Sequence, residues 1–334
     1  MAKAAKITII GADGSEWVVS GPGMGKQGVE LDVAPEGLTD EAPIKQIWQQ
    51  SAFQEGATLL GTSIEPIDMV LGFHVFDYID DFGDYHGWRE VETKFQRALH
   101  HSKPTKIVYA GDGTFPRTLE VVKLESNVSK NRHDPRLNQY SLVTATVRAP
   151  FPYWRGITLQ YNWKLKPGTS VDIKFNNRTD TYMWPKWTVT APGIWLLSDY
   201  DFEGPTKPPK KVQGRLKTAI DELLGKDPNR IETDPRLIAL MEKQPQRTVR
   251  TPYLQKGQDL VIDTYPRHET YVAADGSNIA GRMQGVDFIN GIPPYTSEAV
   301  LHATYIGSKL DFINGLLPDG LVRIETTEYW KRPY

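Results

Sequence analysis

Polar and apolar residues alternate along many short segments of the chain. Early examples are KITII, from Lys6, and EWVVS, from Glu16, and later ones are TLEVVKLES and SLVTATVRA. A period of two sends successive side chains to opposite faces, which is typical of antiparallel strands with one buried face. The chain is therefore predicted to be mainly β.

One early segment has a different period. In WREVETKFQRALHHS, four apolar residues recur at helical spacing: Val91, Phe95, Ala98 and Leu99. This spacing places all four on one face of a helix. The pattern predicts an amphipathic helix over residues 89–101, packed on a sheet.

The segment APFPYW, before residue 155, predicts the end of a first domain, since proline cannot donate to a strand ladder. Short alternating segments follow, from ITLQYNWKL to LVRIETTEYW, at the spacing expected of a β-sandwich. We therefore expect domains at 1–155 and 156–334. The strand-like segments of the second domain are interrupted by KKVQGRLKTAIDELLG, whose apolar residues recur at helical spacing. This pattern predicts a helical insertion at about 205–245 within the sandwich.

Composition narrows the possible functions. The 334 residues are enough for two domains, and no apolar run is long enough to span a membrane or to form the core of a secretory signal. The 39 basic and 41 acidic residues leave a formal net charge of -2, so a general attraction to nucleic acid is not expected. The chain has no cysteine, which excludes disulfides and thiolate sites.

The densest group of titratable residues lies in FDYIDDFGDYHGW, with Asp77, Asp80, Asp81 and Asp84 beside His86. Paired carboxylates can act as acid and base in glycoside cleavage, so a glycan hydrolase is one hypothesis. An acidic hairpin tip before the helix is the favoured interpretation. We expect no catalytic residues and no enzyme activity.

Two further motif classes are weak. Gly23, Gly25 and Gly28 match the spacing G-x-G-x-x-G, but VELDVAPEG follows, which is extended and lacks the helix that would bind a pyrophosphate. The histidines show no metal-ligand spacing. The sequence therefore predicts no cofactor and no metal site.

Aromatic residues are concentrated in TDTYMWPKWTVTAPGIW, which contains Tyr182, Trp184, Trp187 and Trp195. Buried aromatics contribute the most apolar area per residue to a sandwich, so a core or a subunit contact is favoured. Carbohydrate binding through Trp184 or Trp187 stays open as an alternative, because sugar-binding surfaces also use tryptophan.

The order of these elements resembles the distal tail proteins of siphophages. The resemblance rests on ITIIGADGSEWVVSG, on EGATLLGTSIEPIDMVLGFHVFD, on the helix REVETKFQRALHHSKP and on the closing TVRAPFPYWRG. The later part, with NNRTDTYMWPKWTVTAPGIW and GVDFINGIPPYTSEAVLHATYIG, is similar to the second domain of actinobacteriophage minor tail proteins. The helical insertion departs from this pattern.

The resemblance implies a fold and a structural function. The first domain would be a split-barrel-like β domain with one packed α-helix, and the second a galectin-like or carbohydrate-module-like β-sandwich. Copies would form a homo-oligomeric, hexameric ring at the tail tip of the virion, assembled in the host cytoplasm. The implied partners are the tail tube protein, the tape measure protein, the tail-tip hub and, in the carbohydrate-binding alternative, host glycan, with DNA only as passing cargo and no membrane insertion.

Overall fold

The computed structural model describes residues 4–52, 55–111, 113–129, 131, 134–200, 247–266, 268, 270–283, 286–307 and 319–334. The predicted helical insertion at 205–245 lies outside these residues. Strands are by far the commonest regular secondary structure of the described residues, which confirms the predicted mainly β fold class.

Contacts divide the chain into two compact units, Met1–Ile157 with Tyr329–Tyr334, and Thr158–Glu328. The last residues thus belong to the first unit, which differs from the predicted second domain of 156–334. The proline-rich segment leads directly into a strand that begins at Trp154, within the first unit, and continues into the second.

The first unit contains short antiparallel strands and two helices. The strands are β1 (Lys6–Ile10), β2 (Glu16–Ser20), β3 (Val29–Leu31), β4 (Ile44–Gln49), β5 (Thr58–Ile64), β6 (Ile67–Phe76), β7 (Tyr78–Ile79), β8 (Tyr85–His86), β9 (Thr105–Ala110), β10 (Arg117–Lys123), β11 (Val128–Ser129) and β12 (Tyr140–Ala149). The helices are α1 (Trp88–Ala98) and α2 (Pro135–Asn138).

Two groups of strands share β10. Its first part pairs with β9 in the order β2–β1–β9–β10, and its last residues, Val122 and Lys123, pair with β12 in the order β10–β12–β6–β3. A strand shared in this way is the arrangement expected of a split barrel. The pairing of β6 with β12 is the longest, from Ile67 opposite Ala149 to Phe76 opposite Tyr140.

Helix α1 packs against both strand groups through Phe95. The ring of Phe95 contacts Trp17 on β2, at a centroid distance of 5.4 Å, and Phe73 on β6, at 4.8 Å. The helix is shorter than predicted because the Ala98 carbonyl accepts hydrogen bonds from the Ala12 N–H, at 2.9 Å, and the Thr105 hydroxyl, at 2.8 Å. Leu99 therefore follows the helix in extended conformation and is buried.

The short helix α2 lies between β11 and β12. Its N-cap is Asp134, whose carboxylate accepts a hydrogen bond from the Arg136 N–H at 3.0 Å, and Pro135 occupies the first helical position. The Asp-Pro pair is the local signal for this helix.

The second unit is built from two sheets. Its strands, of which the first and the last extend into the first unit, are β13 (Trp154–Leu165), β14 (Thr169–Asn177), β15 (Lys186–Val189), β16 (Trp195–Ser198), β17 (Thr248–Arg250), β18 (Leu260–Asp263), β19 (Thr270–Ala273), β20 (Thr296–Tyr305) and β21 (Gly320–Trp330). Their order is β19–β18–β15–β21–β13 in one sheet and β14–β20–β16–β17 in the other. Buried residues of both sheets form one core, which includes Trp187 from the first and Trp195 from the second.

Candidate self-association surface

The hairpin formed by β4 and β5 exposes apolar side chains along its length. Every residue of β4 is exposed, and most of β5 is exposed as well. The large apolar side chains on it are Ile44, Ile47, Trp48, Leu59 and Leu60. For Trp48 the exposed fraction is 54%, and for Leu60 it is 60%, so both side chains are available to a partner.

The register of the hairpin groups its largest apolar side chains. Ile44 pairs with Ile64 and Trp48 pairs with Leu59, with an irregularity between Ile47 and Trp48. Directly opposed residues lie on the same face of an antiparallel pair. The irregularity leaves Leu60 out of the pairing and allows Leu59 to face Trp48.

An isolated two-stranded hairpin is marginally stable in water. Within the described residues, β4 and β5 pair only with each other. Contiguous exposed apolar side chains of this kind mark surfaces for protein association, and tryptophan is prominent among the residues that dominate binding energy. We therefore take this hairpin, residues 44–64, as the candidate self-association surface.

Sequence reasoning missed this surface. The segment IKQIWQ, from Ile44, has apolar residues at both odd and even positions, so its pattern assigns no single buried face. The available signal was the recurrence of Ile, Trp and Leu in a segment with few charges and no alternation of polar and apolar residues. Such a segment favours an exposed surface that a partner covers.

The acidic cluster forms the predicted hairpin tip before α1. Strands β7 and β8 pair, and the Asp80 carboxylate in the turn between them accepts hydrogen bonds from the N–H groups of Phe82 and Asp84, both at 2.9 Å. The Asp84 N–H holds the pKa of Asp80 below its usual value, with a further contribution from His86. Because its carboxylate accepts from two N–H groups of the same turn, Asp80 helps to shape the turn.

The glycine-rich segment is a series of turns that lead into strand β3. Gly23, Gly25 and Gly28 all have positive φ, at 91°, 79° and 76°. A Cβ atom on Gly28 would lie 2.4 Å from the Phe76 carbonyl oxygen, so the close approach of two backbones requires glycine there. Because β3 follows and not a helix, the segment does not provide the dipole that a dinucleotide fold uses.

The aromatic segment divides between core and surface. Trp187 and Trp195 are fully buried, whereas 55% of Tyr182 is exposed, and Trp184 is partly exposed. Trp184 packs against Gly291, where a Cβ atom would lie 2.8 Å from the indole ring. The burial of Trp187 favours the core interpretation of that residue, and its indole is not available for stacking on a sugar.

A buried charged group lies at the end of β16. Asp199 accepts hydrogen bonds from Arg247 Nη1 at 2.5 Å, from the Ile289 N–H at 3.0 Å and from the Asn290 N–H at 3.2 Å. Burial raises the pKa of Asp199, and the N–H groups and the Arg247 guanidinium oppose that effect. This carboxylate fastens the loop at 287–290 to β16.

Across the described ranges, no group of three histidine, aspartate or glutamate residues is arranged to hold a metal ion. No helix in the described part of the chain has the length and apolar character needed to cross a membrane.

The amino-acid sequence is similar to those of two phage minor tail proteins. Minor tail protein Gp27 of Mycobacterium phage L5 is 26% identical over 339 residues, covering 92% of this chain and 92% of that protein. The protein of the same name from Mycobacterium phage D29 is 26% identical over 299 residues, covering 82% and 84%. The chain is a homologue of phage minor tail proteins. This homology supports a structural role in the tail, as expected from the sequence.

A solved structure shows the same fold. The Dit protein of phage SPP1, described as a paradigm of the hub adsorption apparatus in phages that infect Gram-positive bacteria, matches with a TM-score of 0.56. The match covers 97% of this chain and 99% of that one, at 12% sequence identity. No family model matches the chain.

Proposed function

We propose that the chain is a distal tail protein whose copies close into a hexameric ring and join the tail tube to the tail tip. The role is structural and involves no catalysis. The observation that carries the proposal is the exposed hairpin β4–β5, with Trp48 and Leu60 more than half exposed. Homology to minor tail proteins and the Dit fold support it.

Ring closure requires a heterologous contact, in which one surface of a protomer meets a different surface of the next. The hairpin suits the projecting half of such a contact, because apolar side chains are exposed along both of its strands. A second copy of the chain is therefore the proposed occupant. The hairpin provides part of the contact, since a stable interface involves roughly 20 to 30 residues on each side.

Electron microscopy tests the proposal on two samples. Purified full-length chain, negatively stained, is expected to show closed rings, and a tagged chain in assembled virions is expected to bind label at the distal end of the tail. Label along the tail tube or on the capsid, or a purified chain with no ring at any concentration, would contradict the assignment.

A further inference from the structure

The C-terminal segment Tyr329–Tyr334 is part of the first unit. Trp330 packs against the core of that unit, and the Tyr329 ring lies edge-on to Phe151 at a centroid distance of 5.0 Å. The segment is therefore fixed against the core of the first unit.

Arg117, on β10, clamps this segment. Its side chain is only 7% exposed, and its Nη1 donates hydrogen bonds to the backbone carbonyls of Arg332, at 2.7 Å, and Tyr334, at 3.0 Å. Its guanidinium carbon lies 3.8 Å from the centroid of the Trp330 ring. A buried cation needs such acceptors, so the segment and Arg117 stabilise each other.

The clamped segment reaches the base of the hairpin. Arg332 Nη2 lies 3.1 Å from the Glu41 carboxylate, just before β4. At the same base, Ala42 packs against the core and the Glu65 N–H donates to the Pro43 carbonyl at 2.9 Å. A continuous set of contacts thus runs from Arg117 through the C-terminal segment to the start of the hairpin.

We infer that the C-terminal segment is a brace that sets the direction in which the hairpin projects, with Arg117 and Arg332 as its positioning residues. The Arg332–Glu41 pair is about half exposed and contributes little to folding stability. Its importance lies in orientation, because the hairpin strands are exposed and gain little support from packing. The inference rests on the proposed function, in which that orientation sets the ring contact.

The absence of cysteine allows a direct measurement of hairpin orientation. Spin labels on Gln49→Cys, in the hairpin, and Glu120→Cys, on β10, report a distance distribution in the full-length chain. Labelled protein is diluted into unlabelled protein, so that distances between protomers are not recorded. The variants are Arg332→Ala and Glu41→Gln, with Arg117→Gln as a stronger disruption. Arg136→Ala is the control, because it breaks an exposed pair with Asp134 elsewhere in the same unit.

The parent and the control are each expected to give one narrow distance distribution. For Arg332→Ala and Glu41→Gln we expect a broader distance distribution with a shifted mean, while circular dichroism shows that the fold is intact. Ring assembly by these two variants is expected to need a roughly twofold to fivefold higher concentration. An unchanged distribution in both would overturn the brace, whether or not rings form. A broadened distribution in a chain that never forms rings would leave the brace standing and remove the proposed function.

Discussion

Phe95 on α1 and Phe73 on β6 pack edge-on, with ring centroids 4.8 Å apart and an interplanar angle of 66°. Both side chains are fully buried, and Phe95 also contacts Trp17 in the other strand group. One helical side chain thus ties together the two strand groups that share β10.

Replacement of Phe95 with alanine is expected to destabilise the first unit by about 3 to 5 kcal/mol, the cost of a large cavity in a packed core. Phe95→Asp is expected to be worse, since it would bury a charge, and to impair folding or assembly. Denaturant unfolding measures the effect, with Gln96→Ala on the exposed face of the helix as control. Similar stabilities for Phe95→Ala and Gln96→Ala would contradict the packing role.

The aromatic segment of the second unit yields a paired test. Trp187→Ala is expected to lower the free energy of unfolding by about 3 to 5 kcal/mol, because the indole is fully buried. Tyr182→Ala is expected to change it by no more than about 0.5 kcal/mol. A stable, folded Trp187→Ala variant that had lost binding on a glycan array would revive the carbohydrate alternative, as would the same loss in Trp184→Ala.

Removal of the Asp199 carboxylate is expected to lower the stability of the second unit strongly. Asp199→Ala removes the acceptor of two loop N–H groups and one of the acceptors of Arg247, and loss of one partner of a buried pair costs about 3 kcal/mol or more. Thermal unfolding measures the change, with Asp172→Ala on an exposed strand position as a comparison. Equal melting temperatures for the two variants would show that the network is dispensable.

A pH dependence follows from Asp68 and Arg148, which lie opposite each other on β6 and β12, with hydrogen bonds of 2.6 and 2.7 Å. The hydrogen bonds from Arg148 lower the pKa of Asp68 in the folded state. A lowered folded pKa stabilises the protein above the unfolded pKa, and that stabilisation is lost as the pH falls through the folded pKa.

Asp68→Asn should therefore be slightly less stable than the parent at neutral pH, with the difference shrinking below about pH 4. The pair is nearly half exposed, so added salt should also reduce the difference. Denaturant midpoints measured across pH test this, and a difference that stayed constant down to pH 2 would assign the effect to something other than the ion pair.

Local patterns were enough to predict the elements with one buried face. In strand β12 every second residue is buried, and in helix α1 the buried residues recur at helical spacing. Both elements were predicted from the sequence close to their observed bounds. The end of α1 was not predictable, because the acceptor at Ala98 is used by Ala12 and Thr105, which only the fold brings together.

The candidate surface lay beyond sequence reasoning for a related reason. The hairpin β4–β5 is exposed on both faces, so its apolar residues follow no period that a core would impose. The brace was equally hidden, since Arg117 and Arg332 are far apart in sequence and meet only because the chain returns to the first unit. Within the aromatic segment β15 begins only at Lys186, so Tyr182 precedes the strand and is exposed, which the sequence pattern did not reveal.

The central claim is that the exposed hairpin joins one copy of the chain to the next. Mass photometry of the full-length parent, Trp48→Ser, Leu60→Ser and the matched control Leu137→Ser, on the exposed face of α2, measures the assembled mass directly. The account predicts a hexameric species for the parent and for Leu137→Ser, and folded monomers for the two hairpin variants. A parent that stays monomeric at every concentration, or hairpin variants that assemble as the parent does, would contradict it.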